Sequence, residues 1–360
     1  MGATHGDPRR IGHPERPVHV DLRLGAATDP ADIARLGRRA ERLSMAALWS
    51  SEAGHDPFLL AHEAIAATQD VPVGTGIAVS YARTPMATAL AAWDLQRRSN
   101  GRFILGLGTQ VRPHVERRYG TRWPGSLAPM REYVEVLGQI WSHWQRQTGA
   151  SYRGRYYQFT LSNPEFEPGP LPVSVAPIPI WLAAVGTSMA RLCGEVADGV
   201  HVHSFHTVDY LRSAFLPAIR EGVQLAGREV LPRTSSPVFA GVAHDEREAA
   251  ELRGHFAQHL GFYASTPSYR SVLEHGGWDG VHDTLRELTR AGRWSELGKH
   301  VPATMLGAFV TIADAKELGT TLARRYDGLL DQIGLYRGGD RFMSEHDWDV
   351  FVAAVSESTG

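Results

Sequence analysis

Between Asn100 and Arg118 the chain reads NGRFILGLGTQVRPHVERR, an apolar run from Phe103 to Leu107 followed at once by Thr109, Gln110, Arg112, His114, Glu116 and Arg117. Hydroxyl, amide, guanidinium, imidazole and carboxylate groups therefore crowd one end of what reads as a buried parallel strand, the end at which α/β proteins place their chemistry. Other apolar runs end in the same way. Glu52, His55 and Asp56 follow Ala46–Trp49, Tyr81 follows Val71–Val79, and His203 and His206 close the run that starts at Gly199. Imidazoles and carboxylates are the side chains suited to moving a proton near neutral pH, so these runs together point to acid–base work on a small molecule. With 17 histidines in the chain, any single one is more often structural than catalytic, and the weight rests on the runs converging.

Other chemistries fit less well. His201 and His203 stand two apart on a strand and share a face, which with His206 suggests a metal hydrolase. Only Glu52 and Asp56 could add the carboxylates that such a site needs, so no metal is expected. No serine lies in a G-x-S-x-G elbow. Gly106 and Gly108 suggest a dinucleotide fingerprint, but Val111 replaces its third glycine. Their expected role is to remove side-chain bulk where a flat ligand meets the strand end, with relief of crowding inside a closed barrel as the alternative. Val185-Gly186-Thr187-Ser188 lies between a strand and a helix, where free N–H groups and the helix dipole suit a phosphate and Arg191 could add charge. The plainer reading is a helix capped by Thr187 or Ser188.

The elements that must position these groups alternate strand and helix. Val18–Leu22 is expected as a strand, with a helix capped by Asp29-Pro30 running to about Leu43. Ala46–Trp49 leads to a helix from Pro57 to about Thr68, and Val71–Val79 to one from Pro85 to Arg98. After the Phe103–Leu107 strand, Met130–Trp144 carries apolar residues at helical spacing, Ser151–Phe159 reads as a hairpin, and a Pro-rich connection reaches the strand Ile180–Ala184. A helix over Ser188–Val196, strands over Gly199–His203 and Val238–Val242, a helix over Asp314–Arg325 and a last strand over Gln332–Tyr336 complete the pattern. Eight such units predict a (β/α)8 TIM barrel of the α/β class, with a doubly wound sheet as runner-up. A largely helical insertion is expected late in the barrel, at about residues 245–302. Residues 1–16 are expected as a tail, 17–345 as one domain, and 346–360 as a C-terminal helix and tail.

Composition narrows the partners. Thirty-seven basic against 39 acidic residues leave the chain near neutrality, which argues against a nucleic-acid or anionic membrane surface and for a small-molecule ligand. The single cysteine, Cys193, cannot form an internal disulfide, and no apolar run reaches membrane-spanning length, so a cytoplasmic location is expected. The expected protein partner is a second copy of the chain, as a homodimer.

Taken in order, several segments resemble the luciferase-like family of flavin and deazaflavin oxidoreductases, in particular its coenzyme F420-dependent branch. They are Leu48-Trp49-Ser50-Ser51-Glu52 with His55-Asp56-Pro57-Phe58, Gly74–Val79, Gly101–Gln110 continuing to His114 and Glu116, and Trp181–Gly186 with Ala197-Asp198-Gly199. The resemblance spans Val18 to Tyr336 and implies a barrel with a deazaflavin, coenzyme F420, across its mouth and hydride transfer at the ring. It implies a non-proline cis bond at Gly76-Ile77, contacts to the ring system from Glu52, Thr109 and His114, and contacts to the phosphate from Val185, Gly186 and Thr187. Tyr81, His203 and His206 are the candidate substrate contacts, and His114, His55 and Glu52 the candidates for moving the proton. The chain departs from the family's sugar-phosphate dehydrogenases, since Ala53 follows Glu52 and Val111 stands in place of their strand-four acid. Ile312-Ala313-Asp314 replaces the Gly-Thr-Pro of many relatives, which puts a second phosphate contact in doubt. The implied activity is reduction of an activated C=C or C=N bond. An FMN-dependent monooxygenase on the same scaffold, or a non-catalytic flavin-binding module, are the alternatives.

Overall fold

In the computed structural model, residues 16–25, 28–146 and 149–358 are described. The tail expected over 1–16 therefore lies, except for Arg16, outside the described residues. Eight parallel strands form the barrel: β1 (His19–Val20 and Leu22–Leu24), β2 (Leu48–Ser50), β3 (Val73–Thr75 and Ala78–Val79), β4 (Phe103–Gly108), β5 (Ile180–Ala184), β6 (Gly199–Val202), β7 (Arg233–Val238) and β8 (Gln332–Leu335). The two halves of β1 pair on opposite sides. Val20 meets Ile333 of β8 and Leu22 meets Leu48 of β2, so the sheet closes on itself, and the runner-up open sheet is ruled out.

The first helices begin as their sequences predict. Asp29, Asp56 and Thr84 each cap a helix whose first residue is a proline, with the Asp56 carboxylate accepting from the Phe58 N–H at 2.9 Å. One boundary differs from expectation. The seventh barrel strand is Arg233–Val238, and Ala240–Val242 instead pairs with Thr311–Ala313 in a separate two-stranded sheet. The barrel strand Arg233–Val238 is mostly polar, with Thr234, Ser235 and Ser236 buried, so the apolar run beside it drew the boundary too late. Between the two small-sheet strands the chain is helical, with Glu246–Ala264 and Asp279–Arg290 the longest pieces.

The barrel interior is filled by Trp49, Trp181 and His201, the imidazole lying 4.5 Å edge-on from Trp49 and 5.2 Å from Trp181 between ring centres. Beneath them the Asp21 carboxylate accepts from Arg23 at 3.0 Å, from the Trp49 indole at 3.1 Å, and from Ser235. A charge pair this deep persists because each remaining lone pair finds a donor. Both ring nitrogens of His201 are buried without a partner, and burial holds its pKa well below the usual value, so it is a neutral filling residue. Gly106 is needed for this packing. A side chain there would strike the Thr75 carbonyl and come within 2.6 Å of the His201 ring, so crowding accounts for it, as the alternative reading had it.

Candidate active site at the carboxyl ends of the strands

The loops after β2, β3 and β4 build one wall of the barrel mouth. The Glu52 carboxylate accepts from the Val79 N–H at 2.7 Å, from the Tyr119 hydroxyl at 2.8 Å, and from Arg83. Arg83 also reaches Asp56 at 2.8 Å, so one guanidinium ties the β3 loop to both acids after β2. Burial first, and then the Glu52 carboxylate, push the Tyr119 phenol up to about 12, which keeps it a donor. Arg118 donates to the Ala53 carbonyl at 2.7 Å and fastens the short helix Arg112–Arg117 to the same loop.

The expected cis peptide at Gly76-Ile77 is present. Its Ile77 carbonyl accepts from the Glu52 N–H at 3.2 Å, and the Ser51 hydroxyl donates to the Gly76 carbonyl at 3.0 Å. The Ile77 side chain lies over Gly108, where a Cβ would stand 2.8 Å from it. Directly beyond, Thr109 is half-buried and Gln110 takes a left-handed φ of 60°, a conformation non-glycine residues hold where the surroundings impose it. His55 is half-buried and His114 exposed, and among the described residues neither side chain has a hydrogen bond.

The opposite wall is aromatic. His203 stacks on Tyr269 at 4.7 Å and meets Tyr263 edge-on at 4.8 Å. Its Nδ1 accepts from the Phe205 N–H at 3.1 Å, so a neutral ring carries its proton on Nε2, 3.4 Å from the Tyr269 hydroxyl. Burial and then the neighbouring His206 pull the His203 pKa down to about 3. Tyr263 and Tyr336 join through their hydroxyls at 2.8 Å. Tyr263 and Tyr269 come from the helical segment after β7, so this segment forms part of the wall. His206 lies behind His203, with its Nε2 buried and without a hydrogen-bond partner among the described residues. It donates from Nδ1 to the His203 carbonyl at 2.7 Å and lies edge-on to Tyr326, and burial holds its pKa down at about 4. Among the described residues no three His, Cys, Asp or Glu are placed to hold a metal.

Between the walls, β5 runs through Val185 and Gly186 into the helix Thr187–Val196. Gly186 is its N-cap and no side chain caps it, so Thr187 and Ser188 are not the caps of the plainer reading. A Cβ at Gly186 would meet nothing within 4 Å. There is thus room at a helix start that no side chain caps, a fitting place for a phosphate. Arg191 is turned to Glu221 at 2.8 Å and adds no charge there. At Asp314 the carboxylate caps its own helix, accepting from Glu317 N–H at 2.9 Å, so that helix end already carries an anion.

Sequence reasoning missed Arg83 and Tyr119 as partners of Glu52, and the aromatic pair Tyr263 and Tyr269. An arginine directly after strand three was a readable signal for the first. Nothing in the sequence around the tyrosines marks them.

These features define a closed α/β barrel whose mouth has one polar and one aromatic wall. Residues 16–332 match the luciferase-like monooxygenase family model, and the chain belongs to that family of enzymes. An uncharacterized protein of Mycobacterium tuberculosis is 39% identical over 287 residues, covering 79% of this chain and 84% of the relative. A second M. tuberculosis protein, provisionally named a coenzyme F420-dependent oxidoreductase, is 28% identical over 332 residues, 86% of this chain and 92% of its own. The coenzyme F420-dependent tetrahydromethanopterin reductase of Methanopyrus kandleri shares the fold, with a TM-score of 0.78 at 20% identity over 96% of this chain and 100% of that one.

Proposed function

We propose that this enzyme uses coenzyme F420 and moves a hydride between it and a small organic substrate, in the direction of reducing an activated C=C or C=N bond. The observation that carries the reading is the helix end at Gly186 without a side-chain cap, at the same strand-end face as the Gly76-Ile77 cis bond, in a chain whose F420-named relative matches along 86% of its length. Bound, the deazaflavin supplies the hydride and reacts poorly with oxygen. Gly76, Ile77, Thr109 and His114 would meet the ring system, and Val185, Gly186 and Thr187 the phosphate. Glu52 has its carboxylate filled by Arg83, Tyr119 and Val79, so its part is to hold the β2 and β3 loops in place. His203, kept neutral, is a poor acid and offers substrate a hydrogen bond or a ring face instead. That leaves His55 and His114 to supply the proton, a contribution typically of about 10²- to 10⁴-fold in rate. A cytoplasmic location fits the buried, unpaired Cys193 and the absence, among the described residues, of any helix long and apolar enough to cross a membrane.

The family's monooxygenase name favours one other reading, an FMN-dependent monooxygenase. Titrating the protein with F420 and with FMN separates the two, the proposal requiring tighter binding of F420. With F420 saturating, His114→Ala or His55→Ala should lower the single-turnover hydride-transfer rate. If both leave it unchanged, the proton comes from another group.

A further inference from the structure

Behind Arg83 lies a second cavity of about 550 Å³, bounded by Tyr81, the start of the helix Pro85–Arg98, the loop at Thr121–Pro124, the helix Ala128–Arg146 and the hairpin Tyr152–Phe159. Its volume falls in the range of small-molecule sites. The lower walls are apolar, from Met86, Pro129, Val136, Ile140 and Phe159.

Tyr81 is the informative residue. It is only 9% exposed, its ring stands edge-on to Trp123 at 5.7 Å, and its hydroxyl is buried with no hydrogen-bond partner. A buried hydroxyl without a partner is costly and calls for a specific explanation, and a ligand that accepts its proton supplies one. Burial, and then the nearby Tyr157 and Tyr156, push the Tyr81 phenol well up, so it stays protonated and donates. Charge in the lining has one sign. No Asp or Glu is among the lining residues, Arg83 is held by Glu52 and Asp56, and exposed Arg122 makes no hydrogen bond or ion pair among the described residues. The cavity thus presents phenol donors and a free guanidinium over an apolar floor.

We infer that this cavity is a binding site, separate from the barrel mouth, for an apolar ring-bearing carboxylic acid, whose carboxylate takes the Tyr81 hydroxyl and Arg122 while its body lies on Met86, Val136 and Ile140. An amine would find no counter-charge, and a neutral hydrocarbon would leave Tyr81 unsatisfied. Both lose to the carboxylate on the same grounds.

Calorimetric titration of the full chain with 1-pyrenebutyrate and 2-naphthoate, against 1-pyrenebutanol as the neutral counterpart, tests the assignment. The acids should bind at least about tenfold more tightly than the alcohol, the loss expected for a charge-assisted pair. Tyr81→Phe and, independently, exposed Arg122→Ala should each weaken pyrenebutyrate severalfold, and saturating F420 or FMN should leave its affinity unchanged. Equal affinity for acid and alcohol, no binding of either acid at millimolar concentration, unchanged binding by both variants, or displacement by either cofactor would each overturn the proposal. None of these outcomes depends on which cofactor the enzyme uses.

Discussion

The rim after β2–β4 and the rim after β6 and β8 face one opening with opposite ways of handling polar groups. On the first, the Glu52 side chain is 7% exposed yet has three donors in contact, so its carboxylate is held by partners. On the second, His203 and His206 have no acid beside them and lose their charge to burial. A buried ionisable group is kept either by pairing or by neutralisation, and this mouth uses one on each side. In consequence the Glu52 carboxylate is committed to its three donors, and His203 is a poor acid. His55 and His114 are the sequence-predicted groups that neither solution claims.

The largest expected effect comes from breaking the paired side. Glu52→Leu strands Arg83 beside Asp56 alone and removes the acceptor of Tyr119 and of Val79 N–H, which should cost about 3 kcal/mol of stability. Urea unfolding measures it, and a loss below about 1 kcal/mol would mean water replaces the carboxylate.

Gly186→Glu tests the helix end between the rims. Space is open there, so the melting temperature should hold while cofactor affinity falls by about 100-fold from like charge at the phosphate. Unchanged affinity would place the phosphate elsewhere.

The neutral side predicts a pH dependence. His203 and His206 have folded pKa values of about 3 and about 4, below the unfolded value near 6.5. Between those limits the unfolded chain binds more protons, so stability falls as pH drops from about 6.5, by up to about 1.4 kcal/mol per pH unit for each imidazole. His206→Phe should flatten the slope measured by urea unfolding at pH 7 and pH 5. An unaltered slope would assign it to other groups.

The smallest effect is at the aromatic contact. Tyr263→Phe removes its hydroxyl's bond to Tyr336 and should cost about 1 kcal/mol, with little change in cofactor affinity. A large loss of affinity would bring the cofactor to this wall.

Much of the frame was legible because it is written in local chemistry. Asp29, Asp56 and Thr84, each followed by a proline, mark helix starts by their own hydrogen bonds and by a fixed φ, and the apolar run at Phe103 can be read as a strand without knowing its neighbours. The order of motifs further implied the barrel, the bond at Gly76-Ile77 and a family whose model matches residues 16–332. Tertiary structure alone decided what each polar group meets. Glu52 and Arg83 are 31 positions apart, and His203 and Tyr269 are 66. Closing the barrel brings Glu52 to its donors and leaves the helix start at Thr187 without a side-chain cap, while the Asp314 carboxylate covers a similar helix end. A side chain's type states which bonds it can make, but whether it is paired, neutralised or left free depends on burial and on partners far along the chain.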